Sequence, residues 1–233
     1  MRSSNLAARL ERTVALRILR GEYPPGSRLP SIRTLARDFE TTVPTIQRVV
    51  ARLEAHNLLT PQPGSGMVVN PPEHASLSIA PLWLEATADQ PERAAAILGD
   101  FLEMRRVIAT HLLRQNQASL LSTPSLMQAA LAAGQAQTPE DRMEADLQFT
   151  RHFLDLSGQV ASRALFNTVE HLVREVPAVR DAFYSGAANH QQLIGQLVIA
   201  MASPDPAAGF ERAMRAWDDG AVQRFREALK AVR

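Results

Sequence analysis

Residues 25–70 read PGSRLPSIRTLARDFETTVPTIQRVVARLEAHNLLTPQPGSGMVVN. Ser31 to Asp38 predicts a short amphipathic helix, followed by a tight turn. A second helix opens at Thr41/Thr42 and runs to about His56. Thr42 suits its N-cap, and Pro44 falls in the first turn, where a missing N–H costs little. Val43, Ile46, Val49, Val50 and Leu53 are assigned to its inner face. Leu58 to Thr60 and Met67 to Val69 read as two short strands around a Pro61 to Gly66 tip. Helix, turn, helix and a two-stranded wing in this order form a shape whose second helix fits a DNA major groove.

Upstream, Leu6, Leu10, Val14 and Ile18 recur every four residues and predict a first helix with one apolar stripe. Gly21 ends it, and Pro24-Pro25-Gly26 make the turn. Residues 1–70 hold ten arginines against five acids, and residues 71–233 hold 15 basic and 19 acidic residues. A basic head on an acidic body fits one nucleic-acid-binding domain, since phosphate neutralisation supplies most non-specific affinity. The other reading of that charge is solvated surface.

The chain has 233 residues and no cysteine, which suits two modest domains and excludes a disulfide framework, a thiolate metal site or a cysteine nucleophile. The N-terminal stretch is charged throughout, unlike a secretory signal, and no run of about 18 apolar residues predicts a membrane span. A cytoplasmic location is expected, with no membrane partner.

Asn70 to His74 reads as the core of a linker, giving a head over residues 1–70, a lead-in over 71–90 and a second domain over 91–233. Beyond the linker only helical stripes recur: Ile97, Phe101, Met104, Ile108 and Leu112; then 125–136; a helix opening at Pro139-Glu140; Leu165 to Val173; Leu193 to Met201; and Phe210 to Leu229. The predicted fold class is mainly α, a winged helix-turn-helix followed by an all-α bundle of six or seven helices.

The head resembles the GntR family of bacterial transcription regulators. The resemblance lies in Pro25-Gly26, Leu29-Pro30-Ser31, Arg33, Leu35-Ala36, Thr45, Leu53, Leu58 and the wing Gly64-Ser65-Gly66. It implies operator DNA as a partner, bound by a homodimer. The DNA-contacting residues expected are Arg33, Thr42, Pro44, Thr45, Gln47, Arg48 and Gly66. Threonine hydroxyls suit phosphates, glutamine suits adenine edges, and arginine suits the guanine O6/N7 pair or phosphate. Gly66 at the wing lets backbone approach the minor groove without a Cβ clash. FadR-type members often carry arginine where this chain has Val43 and Gln47, so fewer guanine contacts are implied. The alternative for Gln47 and Arg48 is ordinary exposed helix surface.

Residues 92–230 resemble the FadR-type effector domain, FCD. Phe101 to Arg106, Asp146 to Thr150 with Ser157 to Gln159, and Asn189-His190 with Leu193-Ile194 carry the resemblance. Most FCD members hold a divalent metal with one Asp and three His. Here Asp146 and His190 match two of those positions, while Thr150 and Trp217 stand at or near the others. His152 points away from Thr150's face. No metal and no cofactor are therefore expected. The acyl-CoA-responsive FadR branch shares this loss, and Arg151 after Thr150 looks more like that branch.

The resemblance thus implies a small anionic effector, acyl-CoA or another carboxylate, in a site formed by Arg105, Asp146, Thr150, His190 and Trp217. Phe149, Phe153, Met201 and Met214 are expected to add apolar lining. Arg105 either meets an anionic head group or forms a buried salt bridge, and Trp217 either lines the cavity or packs the core. His111, His152 and His171 read as surface or satisfied helix residues. A metal-dependent carboxylate sensor is the alternative. An enzyme is less consistent: the only lysine is Lys230, and no G-x-S-x-G elbow occurs.

Overall fold

The computed structural model describes residues 2–64 and 66–232, without the side chains of residues 2–5 and 121. Ser65, at the wing tip, lies outside the described residues. The chain divides into two compact units, residues 1–89 and 90–233.

In the first unit, α1 (Arg2–Leu19) packs on α3 (Val43–Ala55), and α2 (Ile32–Asp38) packs beside α3. Ser31 caps α2 by accepting a hydrogen bond from Thr34 N–H at 3.1 Å. Strands β1 (Leu59–Gln62) and β2 (Gly66–Val69) form the antiparallel wing, with Leu59 opposite Val69 and Gln62 opposite Gly66. Arg28 adds an isolated antiparallel bridge to Val68, so the wing has a third rung the sequence did not suggest. Gly64 and Gly66 take φ of 72° and 82°, the left-handed region where a Cβ is disfavoured, and this sets the tight tip.

The α1 stripe is buried at Leu10, Val14 and Ile18, but Leu6, in the N-terminal part of the helix, is 40% exposed. Pro72–His74 and Leu77–Ile79 form two 3₁₀ turns, and α4 (Ala80–Ala86) packs on α1. Ile79 and Ala86 join the head's core, with Leu82 and Trp83 half-buried against it. Arg12 and Glu85 pair across the α1–α4 contact.

The second unit is all helical: α5 (Pro91–Leu121), α6 (Pro124–Gln135), α7 (Pro139–Ser157), α8 (Val160–Glu175), α9 (Pro177–Tyr184), α10 (Ala187–Met201) and α11 (Pro206–Ala231). That makes seven helices among the described residues. The pairing of α5 with α11 is the most extensive contact, followed by α10 with α11 and α6 with α7. A capping box opens α7: Thr138 accepts from Asp141 N–H at 3.0 Å, and the Asp141 carboxylate accepts from Thr138 N–H at 3.4 Å. Gly158 ends that helix with φ 65°. The short α9 has no counterpart in the sequence reading. Arg142, itself buried, holds its end by donating from Nε and Nη2 to the Tyr184 carbonyl at 2.9 and 2.6 Å.

Candidate nucleic-acid interface and effector cavity

Arg33, Thr42, Pro44, Gln47, Arg48 and Gly66 are all exposed. Pro44, Gln47 and Arg48 follow an i, i+3, i+4 spacing, so they share one face of α3. Arg33 stands in the first turn of α2. Thr45 does not belong to that face. It is 5% exposed, and its hydroxyl lies 2.9 Å from that of Thr42. This hydroxyl pair also explains why Thr42, though at the N-cap position, makes no side-chain hydrogen bond to the helix backbone. Val43, expected inside, is 38% exposed. The inward set of α3 is Thr45, Ile46, Val49, Val50 and Leu53. The exposed face of α3 therefore carries an isopropyl group in place of the expected Thr45 hydroxyl.

The charge argument also changes with the boundary. Glu73, Glu85 and Asp89 fold with the head, so residues 1–89 carry ten arginines against eight acids. Arg12 pairs with Glu85, and Arg52 with Glu11 at 2.9 Å. The whole unit therefore carries only a small excess of positive charge, with Arg33 and Arg48 among its exposed arginines.

In the helical unit, six helices line a partly open cavity of about 850 Å³, solvent space at its mouth included. Arg105, Asp146, Thr150 and Trp217 all line it. His190 is fully buried beside it. Its Nε2 lies 3.0 Å from Asp146 Oδ1, and its ring sits edge-on to Trp217 with centroids 6.0 Å apart. The five sequence-predicted residues therefore converge. Phe149, Phe153 and Met214 line the same cavity, whereas Met201 is not part of its wall. An adjoining apolar pocket of about 390 Å³ shares Arg105, Thr150 and Phe153 and extends toward Ile108 and Leu165.

Arg105 is not a bare charge. It is bonded to Asp218, which also accepts from Arg106 Nη1 at 3.1 Å. Burial pushes the Asp218 carboxyl up, opposed by the positive charges of Arg105 and Arg106. Two guanidiniums share the Asp218 carboxylate, and Asp146 adds a second carboxylate to the same wall. Arg105 Nε is buried with no hydrogen-bond partner. Burial, and then the charge of Asp146, raise the Tyr184 hydroxyl well above its ordinary range. Tyr184 stays neutral and offers a hydroxyl to the cavity it lines.

Asp218, Arg106 and Tyr184 escaped the sequence reading. Asp218 follows Trp217 directly, and α9 was readable from Pro177 with Val179, Ala182 and Phe183 at helical spacing.

The donor set does not fit the divalent metal that the FCD resemblance implies. Asp146 and His190 are bonded to one another. The Thr150 hydroxyl donates to the Asp146 carbonyl at 2.9 Å, and an indole supplies no ligand. Among the described residues no group of three or more His, Asp or Glu side chains is placed to hold a metal ion.

Comparison with known proteins bears on both units. The family of bacterial regulatory proteins called gntR matches residues 6–69. The uncharacterized HTH-type transcriptional regulator Rv0494 of Mycobacterium tuberculosis is 32% identical over 167 residues, covering 70% of this chain and 66% of that relative, just under two thirds of its length. The HTH-type transcriptional regulator Mce2R of Mycobacterium tuberculosis is 27% identical over 201 residues, covering 83% of this chain and 80% of that relative. The solved structure of Lar, described as controlling expression of the Listeria monocytogenes agr system, matches with a TM-score of 0.56 at 13% identity. That match covers 93% of this chain and 95% of Lar and speaks to the fold alone. The helix-turn-helix head, residues 6–69, thus matches the gntR family, and both relatives bear the name of HTH-type transcriptional regulators.

Proposed function

We propose that this chain, with its GntR-family head, is a cytoplasmic transcription regulator. It binds operator DNA as a homodimer and is controlled by a small anionic effector held in an FCD-like helical domain. The observation that carries the reading is the pairing of two features in one chain. One is an exposed α3 face of Val43, Pro44, Gln47 and Arg48, and the other is a partly open cavity lined by six helices of a separate unit. A domain that only bound DNA needs no such cavity.

Arg33, Thr42, Pro44, Gln47, Arg48 and Gly66 are assigned to DNA. Two-fold pairing extends a short recognition helix to a pseudo-palindrome, which supplies the specificity one helix lacks. Arg105, Asp146, Thr150, His190 and Trp217 are assigned to the effector. The shared Arg105–Arg106–Asp218 cluster favours an anion, and the apolar annex past Thr150 and Phe153 favours an aliphatic tail, so a fatty acyl-CoA leads over a small carboxylate.

The test selects an operator from random duplexes with the full chain, then measures its release by fluorescence anisotropy. Acyl-CoAs of graded length are titrated beside dicarboxylates. Release by an acyl-CoA supports the reading. Release only by a small acid moves the effector class. No selected sequence at all sinks the regulator.

A further inference from the structure

A second pocket opens between α10 and α11, outside the cavity described above. It measures about 420 Å³ and is lined by Asn189, Gln192, Gln196, Trp217 and Arg224, with Leu193 and Ala216 at its base. Its polar side chains are three amides and one guanidinium; no carboxylate lines it. Arg224 is held firmly. Its Nε donates to the Ala182 carbonyl at 2.6 Å, and its guanidinium lies over the Trp217 ring, 5.4 Å from the centroid. Gly220, one turn back on α11, leaves room for it: a Cβ there would come within 3.1 Å of Nη1.

Yet the charge is not met. Arg224 Nη2 is buried without a hydrogen-bond partner, and among the described residues no carboxylate forms an ion pair with this guanidinium. Elsewhere in this unit, Arg105, Arg106, Arg151, Arg163 and Arg174 bind acids, and the buried Arg142 is met by the carbonyls of Gln137 and Tyr184 through Nε, Nη1 and Nη2, whereas Arg224 Nη2 has no acceptor. Arg224 as a whole is half-buried, but covering a guanidinium nitrogen without an acceptor is unfavourable, and burial lowers the Arg224 pKa. A planar guanidinium fixed by a carbonyl and an aromatic face, and ringed by amide donors, is a preformed receptor for an oxyanion.

We infer that the α10–α11 cleft is an oxyanion site, with Arg224 as its charged anchor and Gln192 and Gln196 as amide donors to a carboxylate or phosphate group. The site goes beyond the effector reading and stands without it. It touches the inner cavity all the same, because Trp217 and Leu193 line both. An anion drawn onto Arg224 would alter the contact that holds Trp217, and so the wall of the cavity.

That shared indole supplies the readout. The full chain carrying Trp83→Phe retains Trp217 as its single tryptophan. Its emission is titrated with succinate and with inorganic phosphate, with sodium chloride at matched ionic strength as control. A saturable change with at least one oxyanion and none with chloride is expected. Arg224→Gln should weaken that binding by about tenfold or more.

Because Arg224 also braces Ala182, a Gln192→Ala/Gln196→Ala double variant, which leaves both Arg224 contacts intact, is titrated in parallel and should weaken binding several-fold with unchanged circular dichroism. Succinate alone identifies a carboxylate site, and phosphate alone a phosphate site. No saturable change with either anion, or unaltered affinity in both variants, overturns the inference. Oxyanion binding without any effect of acyl-CoA or carboxylate on operator release would sink the effector reading and leave this site standing.

Discussion

Asp218 accepts a hydrogen bond from Arg106 at 3.1 Å while also binding Arg105, so one carboxylate on α11 compensates two guanidiniums on α5. Asp218 is 2% exposed and Arg106 7%. Removing the acid would leave Arg106 buried and unpaired at the most extensive helix contact of the unit. Asp218→Asn is expected to cost about 3–5 kcal/mol, the usual penalty for breaking a buried pair from one side. Arg105→Met should cost less, since Arg106 keeps its partner. Urea unfolding followed by circular dichroism separates the two, and a loss under about 1 kcal/mol for Asp218→Asn would contradict the buried pairing.

The corrected α3 face makes a prediction about DNA. Arg33→Ala and Arg48→Ala should each weaken operator binding by about 1–3 kcal/mol if the guanidinium meets a base edge in two-pronged fashion. Thr45→Val should behave differently. It removes the hydroxyl that meets Thr42, so it lowers the stability of the head and leaves base preference unchanged. Anisotropy against single-base operator variants checks this. Altered base preference in Thr45→Val would return that residue to the interface.

The phase of α3 shows where the sequence was legible and where it was not. The apolar spacing of Ile46, Val49, Val50 and Leu53 determined the helix and its buried stripe. It could not decide between Val43 and Thr45, which flank the first turn. Hydrophobicity favours Val43 inside, but Thr45 is buried by pairing its hydroxyl with Thr42, a polar solution that periodicity does not register. Prolines 71 and 72 read as a linker because they interrupt helix, yet Leu77 to Ala86 carried enough apolar residues to fold back on α1.

The residues proposed to hold an effector were reached through family resemblance, and Arg105, Asp146, Thr150 and Trp217 line one cavity. The partner that neutralises Arg105 was not legible. Asp218 lies 113 residues away, and only the α5–α11 packing brings them together.

Close packing of α10 on α11 gives a third prediction. A Cβ on Gly209 would lie 2.8 Å from the Ala200 Cβ and 3.1 Å from its Cα. The second of these is backbone and cannot rotate away. Gly209→Ala must therefore push the two helices apart, with an expected loss of about 1–3 kcal/mol despite the better helix propensity of alanine. Gly195→Ala, at a helical glycine with nothing within 4 Å of the added methyl, is the control and should stabilise slightly. Thermal melts of the two variants in opposite directions are the expected result.

The pH dependence follows from the clamp between α7 and α8. Arg174 Nη2 donates to Glu144 at 2.9 Å and Nε to Glu170 at 3.0 Å, and Arg151 binds Glu170 as well. The hydrogen bond from Arg174 holds Glu144 below the usual carboxylate range. For Glu170, burial pushes the carboxyl up, but the hydrogen bonds from Arg151 and Arg174 outweigh it, and the net direction is again down.

A carboxyl depressed in the folded state binds its proton less tightly there than in the unfolded chain. Its stabilisation is complete above the unfolded value of about 4.3 and fades as pH falls through the folded one. Arg174→Met is therefore expected to destabilise the helical unit by about 1 kcal/mol at pH 7, the scale of a partly exposed ion-pair network. That difference should shrink as pH falls below about 4, where the acids of the parent protein protonate too. Urea midpoints of both proteins from pH 7 to pH 3 measure it. A gap that stayed constant down to pH 3 would mean that Arg174 stabilises by packing its methylene groups rather than by its charge.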